Sequence, residues 1–129
     1  HRLATEWAEK IGLKEIMHIS ATRLSGGEKQ KLALARALIT EPEMLFLDEP
    51  SASLDGKTTV EIENLLKSYT KNGTTIMMST HDIGQAKRLA KTILFLNKGI
   101  LESNQSVKTF FLEPKSRNAQ KFIAGEIVE

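Results

Sequence analysis

Residues 44–50 read MLFLDEP. Four consecutive apolar side chains, bounded by Pro42 and Pro50, leave room for a short strand and none for a helix. A run apolar at every position predicts a strand buried on both faces, as in the parallel sheets of α/β proteins. Two further runs resemble it, TTIMMST at 74–80 and TILFL at 92–96. Between the first two lies a predicted helix over 57–71, with Ile62, Leu65, Leu66 and Tyr69 at i, i+3, i+4, i+7 and Gly73 closing it. Asp82 is placed to cap another, through about residue 91, with Ile83, Ala86, Leu89 and Ala90 inward. Upstream, helices are predicted over 2–11 and 26–39. Downstream, Asn97-Lys98-Gly99 turns the third strand into a partner at 100–102, and short helices follow near 106–112 and 118–124. Strand–helix–strand alternation predicts an α/β fold, a mostly parallel sheet with flanking helices.

Composition narrows the class. The chain has 129 residues, 40% hydrophobic and 26% charged, which suits one globular domain or a piece of a larger one. No apolar run approaches the ~20 residues of a membrane span, and no signal-peptide pattern is visible. The absence of cysteine excludes disulfides and thiolate metal sites and fits a cytoplasmic protein. A net charge of +2 is too small to argue for a nucleic-acid partner. A first residue of His rather than Met leads us to expect processing, a tag remnant or a fragment.

The residues with chemical potential fall at element ends. In RLSGGEKQKLALARAL (23–38), Ser25 and Glu28 have capping-box spacing. Gly26 and Gly27 in that first turn are poor helix formers, each worse than Ala by roughly 1 kcal/mol in a helix interior. A helix start without Cβ atoms offers free N–H groups and a favourable dipole to a phosphate. Asp48 and Glu49 end the first strand, where adjacent carboxylates call for a neutralising cation; Mg²⁺ with phosphates takes one or two carboxylates. His81 follows the second strand, where it could hydrogen-bond a phosphate. Each feature also has a plain structural reading: a capped helix, a strand ending in solvent, a loop histidine. Gly56-Lys57-Thr58 imitates the tail of G-x-x-x-x-G-K-[ST], but position 51 is Ser51 and the segment follows the acidic pair, so it is not a P-loop.

LSGGE at 24–28, ARAL at 35–38, MLFLDEP at 44–50, SASLD at 51–55 and STHD at 79–82 occur in one order at suitable spacings. Together they resemble the C-terminal part of the ATP-binding subunit of an ABC transporter, most strongly from Arg23 to Glu102. The resemblance implies an ABC-type P-loop NTPase fold lacking its P-loop strand. It divides the chain into a helical-subdomain remnant (1–40), a partial RecA-like core (41–103) and a helical tail (104–129). It also implies roles. Ser25, Gly26, Gly27 and Glu28 would meet the γ-phosphate of ATP held by a second subunit in a head-to-tail dimer. Asp48 would hold Mg²⁺ through water, Glu49 would act as general base, Asp55 would close a loop facing the partner, and His81 would sense the γ-phosphate.

The missing N-terminal half would carry the P-loop, so this chain alone is expected neither to bind ATP tightly nor to hydrolyse it. Permease subunits would hold the motor at the inner face of the membrane. HDIGQAKRLAKTILFLNKG and AQKFIAGEI are similar to importers of oxyanions, tungstate in particular. The strand edges bared without the P-loop strand are expected to promote self-association or a rearranged sheet. Two other readings compete: the C-terminal lobe of a chromosome-maintenance or DNA-repair ATPase head, and a regulatory module without catalysis.

Overall fold

The computed structural model describes residues 2–128. The chain falls into two units, one ending at Ser79 and the other beginning at Thr80. The first contains α1 (Arg2–Lys10), short 3₁₀ turns at Lys14–Ile16 and Ala21–Arg23, α2 (Gly26–Leu38), β1 (Met44–Asp48), α3 (Gly56–Lys71) and β2 (Thr75–Ser79). Its core forms where the helical stripes converge. Ile11, Leu13 and Ala35 are buried together, with Trp7, Ile16, Leu32 and Leu65 packed against them. Leu38, Ile62 and Leu66 are also buried. Lys10 ties α1 to α3: its Nζ lies 4.8 Å from the Trp7 ring centroid and 4.6 Å from that of Tyr69, and donates to the Tyr69 hydroxyl at 2.9 Å.

β1 and β2 pair in parallel, from Met44 opposite Thr75 to Asp48 opposite Ser79. The expectation that Met44–Leu47 is buried on both faces requires correction. Leu45 is buried, whereas Phe46 is 68% exposed, and Met44 and Met77 are exposed with it. Successive strand residues face opposite ways, so covering one side of a sheet leaves every second side chain in water. An apolar face of this kind marks a surface made for another layer.

The second unit contains α4 (Ile83–Leu89), β3 (Thr92–Asn97), β4 (Ile100–Ser106), α5 (Val107–Leu112) and α6 (Arg117–Ala124). Lys98 and Gly99 take φ of 48° and 78°, the left-handed pair of a tight hairpin, and β3 pairs antiparallel with β4. β4 continues to Ser106, beyond the expected 100–102, because its polar side chains have work inside. Gln105 is buried and clamps the following loop, donating to the Glu113 carbonyl at 3.0 Å and accepting from the Lys115 N–H at 3.1 Å. The Glu102 carboxylate accepts from Ser116 Oγ, from Asn118 Nδ2 at 2.7 Å and from Asn97 Nδ2 at 3.0 Å. These donors hold its pKa below the usual value, Ser116 contributing most. On α4 the most buried side chain is the polar Gln85, where apolar periodicity pointed to Ile83, Ala86, Leu89 and Ala90.

Among the described residues, each unit carries one two-stranded sheet, β1 with β2 and β3 with β4. Among the described residues, no helix is long and apolar enough to cross a membrane.

Candidate functional site

Within the first unit, α2 and α3 begin beside one open cleft of about 390 Å³. Its lining includes Ser25, Gly26, Gly27, Glu28, Asp55 and Thr58. Both helix starts are capped by their own sequence. The Glu28 N–H donates to Ser25 Oγ at 3.3 Å, and the Ser25 N–H donates to the Glu28 carboxylate at 2.7 Å, completing the expected capping box. Asp55 accepts from the Thr58 N–H at 3.0 Å and from the Thr58 hydroxyl at 2.7 Å. Both carboxylates are held below their usual pKa: Glu28 chiefly by the Ser25 N–H, Asp55 chiefly by the Thr58 N–H.

The two glycines of the first turn differ. A Cβ on Gly26 would meet nothing within 4 Å, so nothing inside this chain requires glycine there. A Cβ on Gly27 would lie 3.0 Å from Thr58 Cγ2 and 3.4 Å from Thr58 Oγ1. The two positions therefore differ in their surroundings: Gly27 lies against Thr58 of α3, whereas the clearance at Gly26 opens to space.

At the end of β1 the acidic pair is organised by a residue that sequence reasoning left without a role. Ser79, opposite Asp48 in the sheet, donates its hydroxyl to Asp48 Oδ1. The Glu49 N–H reaches both the Ser79 carbonyl and Ser79 Oγ at 3.2 Å. Glu49 adopts φ of 43° and Ser53 φ of 61°. For a non-glycine residue that conformation costs about 1–3 kcal/mol, and such strain concentrates at working sites. The parallel register could have identified Ser79, since the strand ending in STHD must lie beside the one ending in LDE.

Asp48 is exposed and can offer a carboxylate oxygen to a metal. Among the described residues, no group of three or more His, Asp or Glu converges as a self-sufficient metal site. That donor set fits Mg²⁺, which completes its shell with water and phosphate oxygens. His81 belongs to the second unit, just before Asp82, whose carboxylate caps α4 by accepting from the Gln85 N–H at 2.9 Å.

Comparison with known proteins bears on the fold and the family. Residues 1–52 match the family model described as ABC transporter. The arginine transport ATP-binding protein ArtM of Bacillus subtilis (strain 168) is 38% identical over 120 residues, covering 93% of this chain and 50% of that protein. The phosphate import ATP-binding protein PstB of Thermotoga maritima is 41% identical over 130 residues, covering 98% and 51%. A solved structure of the ATP-binding cassette MJ0796, a dimer in a post-hydrolysis state bound to ADP and Pi, superposes with a TM-score of 0.72 at 31% identity, covering 82% of this chain and 46% of that one. The fold is that of the ABC ATPases, and the chain spans about half the length of the curated relatives it matches. These relatives are transport proteins and do not favour a chromosome-maintenance or DNA-repair head.

Proposed function

We propose, from its place among ABC transporter ATP-binding domains, that this chain supplies the signature-helix and acidic half of an ATPase that powers import of a small solute. The observation that carries the reading is Gly26: a glycine at the first turn of a capped helix, open to solvent, whose missing side chain serves no contact within the chain. An anion approaching there meets unblocked N–H groups at the positive end of α2.

In this scheme Ser25, Gly26, Gly27 and Glu28 present that helix start to the γ-phosphate of ATP held by a second subunit. Asp48, oriented by Ser79, holds Mg²⁺, which supplies charge neutralisation at the phosphates. Glu49 takes a proton from, or orients, the attacking water, and its backbone N–H bonds to Ser79 fix where it points. Asp55 shapes the loop offered to the partner, and His81 hydrogen-bonds the γ-phosphate. Residues 1–40 then form the remnant of the helical subdomain, 41–103 the partial ATPase core and 104–129 the tail. Permease subunits would hold the assembly at the cytoplasmic face of the membrane.

The relatives' names do not support tungstate. One is named for arginine and one for phosphate, of which only phosphate is an oxyanion. Solute choice belongs to other subunits. The exposed Phe46 face and the unpaired strand edges favour self-association of the chain taken alone; a monodisperse monomer in concentrated sedimentation runs would remove that part.

The test supplies the missing P-loop half, joined or in trans. The assembly should hydrolyse ATP with Mg²⁺, the chain alone should not, and Glu49→Gln should silence the assembly. Hydrolysis that survives Glu49→Gln overturns the reading.

A further inference from the structure

The Lys31 ammonium is paired with the Glu61 carboxylate, joining the second turn of α2 to α3. The Lys31 side chain is only 14% exposed, and a Cβ on Gly12, just after α1, would lie 3.9 Å from its Nζ. One turn before Lys31 on α2, Gly27 abuts Thr58. One turn after it, Ala35 belongs to the cluster against which Leu65 packs. Gly27 of α2 thus meets Thr58 of α3 and Lys31 meets Glu61, in the same order along both helices, with Ala35 and Leu65 in one cluster a turn further on and both capped starts at the same cleft.

The three contacts differ in what they can specify. Apolar packing at Ala35 tolerates small slips, and the Gly27–Thr58 contact blocks close approach without attracting. The Lys31–Glu61 pair is buried on one side only, with the Lys31 side chain 14% exposed and the Glu61 side chain 41%, so removing Glu61 leaves a cation with little access to water. An ion pair between two helices favours one register over its neighbours, because a slip along either helix separates the two charges.

We propose that Lys31 and Glu61 are a positioning pair: they lock the phosphate-facing start of α2 to the Asp55-capped start of α3, so that Ser25–Glu28 and Ser53–Asp55 are presented to a partner subunit as one rigid edge. Lys31 is not a phosphate ligand in this scheme, since its ammonium is committed to Glu61. Its proximity also draws Glu28 further toward the ionised state that closes the capping box.

Amide hydrogen exchange on the 129-residue chain tests the lock without any assumption about ATP. The reporters are the N–H groups of Glu28 and Lys29, bonded to Ser25, and of Thr58 and Thr59, bonded to Asp55. The Ala119 N–H, bonded to Ser116 in the other unit, is the control. Lys31→Met should speed exchange about tenfold at both helix starts, including α3, where nothing was changed, and leave Ala119 alone. Glu61→Gln should do the same from the other side. Lys31→Arg should restore protection. The double variant Lys31→Met/Glu61→Gln should exchange more slowly than either single one, because it leaves no unpaired charge. Exchange that changes only on the mutated helix, or effects that multiply in the double variant, would overturn the proposal.

A second arm rests on the function proposed above. In the ATPase assembled with a P-loop half, Lys31→Met should lower kcat by roughly ten- to hundredfold, leave KM for ATP within about twofold, and be rescued by Lys31→Arg. A rise in KM at unchanged kcat would refute the positioning role. An inactive parent assembly would count against the function and not against the lock, which the exchange data decide separately.

Discussion

At the cleft beside the starts of α2 and α3, the carboxylates are matched by the chain's own donors. Glu28 takes the Ser25 N–H, and Asp55 takes the Thr58 N–H and hydroxyl. At the end of β1, Asp48 takes the Ser79 hydroxyl and otherwise faces solvent, next to a Glu49 held at positive φ. The first region is completed locally, since a helix cap needs only residues three positions away. The second depends on a residue thirty-one positions away, places Asp48 in solvent and holds the half-buried Glu49 at positive φ. Acidic residues that look alike in sequence therefore differ in setting: Glu28 and Asp55 cap helices, whereas Asp48 ends a strand and is bonded by a serine from the neighbouring strand.

The sharpest way to break this comparison is through Glu49. If the proposed function holds, Glu49→Gln in the assembly with a P-loop half should reduce turnover by about a hundredfold, the scale of a lost general base, and by far more than it lowers the thermal stability of the chain. A large stability loss instead would place Glu49 with the structural carboxylates.

The paired glycines offer a smaller but cleaner contrast. Gly26→Ala should leave the chain as stable or up to about 1 kcal/mol more stable, since its Cβ meets nothing, yet should cripple the assembled ATPase. Gly27→Ala should lower the urea midpoint through its 3.0 Å contact with Thr58, and Thr58→Ser, which removes that methyl, should recover much of the loss. Equal stability effects at the two positions would erase the distinction drawn between them.

Asp55→Ala should destabilise through loss of the α3 cap, with Asp55→Asn milder because the amide oxygen still accepts from Thr58. Urea midpoints with unchanged m values would show it.

The smallest expected effect is on pH dependence. Glu28, Asp55 and Glu102 all have folded pKa values below their ordinary ones. Carboxylates of this kind favour the folded state above the unfolded pKa, and that contribution fades as pH falls through the lowered folded pKa. The urea midpoint should therefore decline on acidification from the ordinary glutamate value of 4.5 downward. Glu102→Gln should flatten the decline, and an unchanged profile would mean that its three donors do not favour the charged form.

Much of this was legible in the one-dimensional pattern. The capping box at Ser25, the Asp55 and Asp82 caps, the hairpin at 97–100 and the order of strands and helices all depend on residues within a few positions of each other. The signals that failed depend on neighbours far away in the chain. Gln85 and Gln105 break the apolar pattern because buried polar groups are tolerable once their hydrogen bonds are met, and at Gln105 those partners lie in a later loop. The strand at 44–47 reads as buried on both faces, yet Phe46 stands in water, because composition records what a strand is suited to and not what covers it.

By itself, then, the sequence determined the α/β alternation, the capped helix starts and the acidic strand end, all governed by short-range hydrogen bonding and apolar periodicity. Only the tertiary structure decided that Gly27 lies against Thr58, that Ser79 bonds both Asp48 and the Glu49 N–H, and that Lys31 pairs with Glu61. Each of these is a contact between elements remote in the chain, and side-chain geometry across a packed interface leaves no periodic trace in either segment alone.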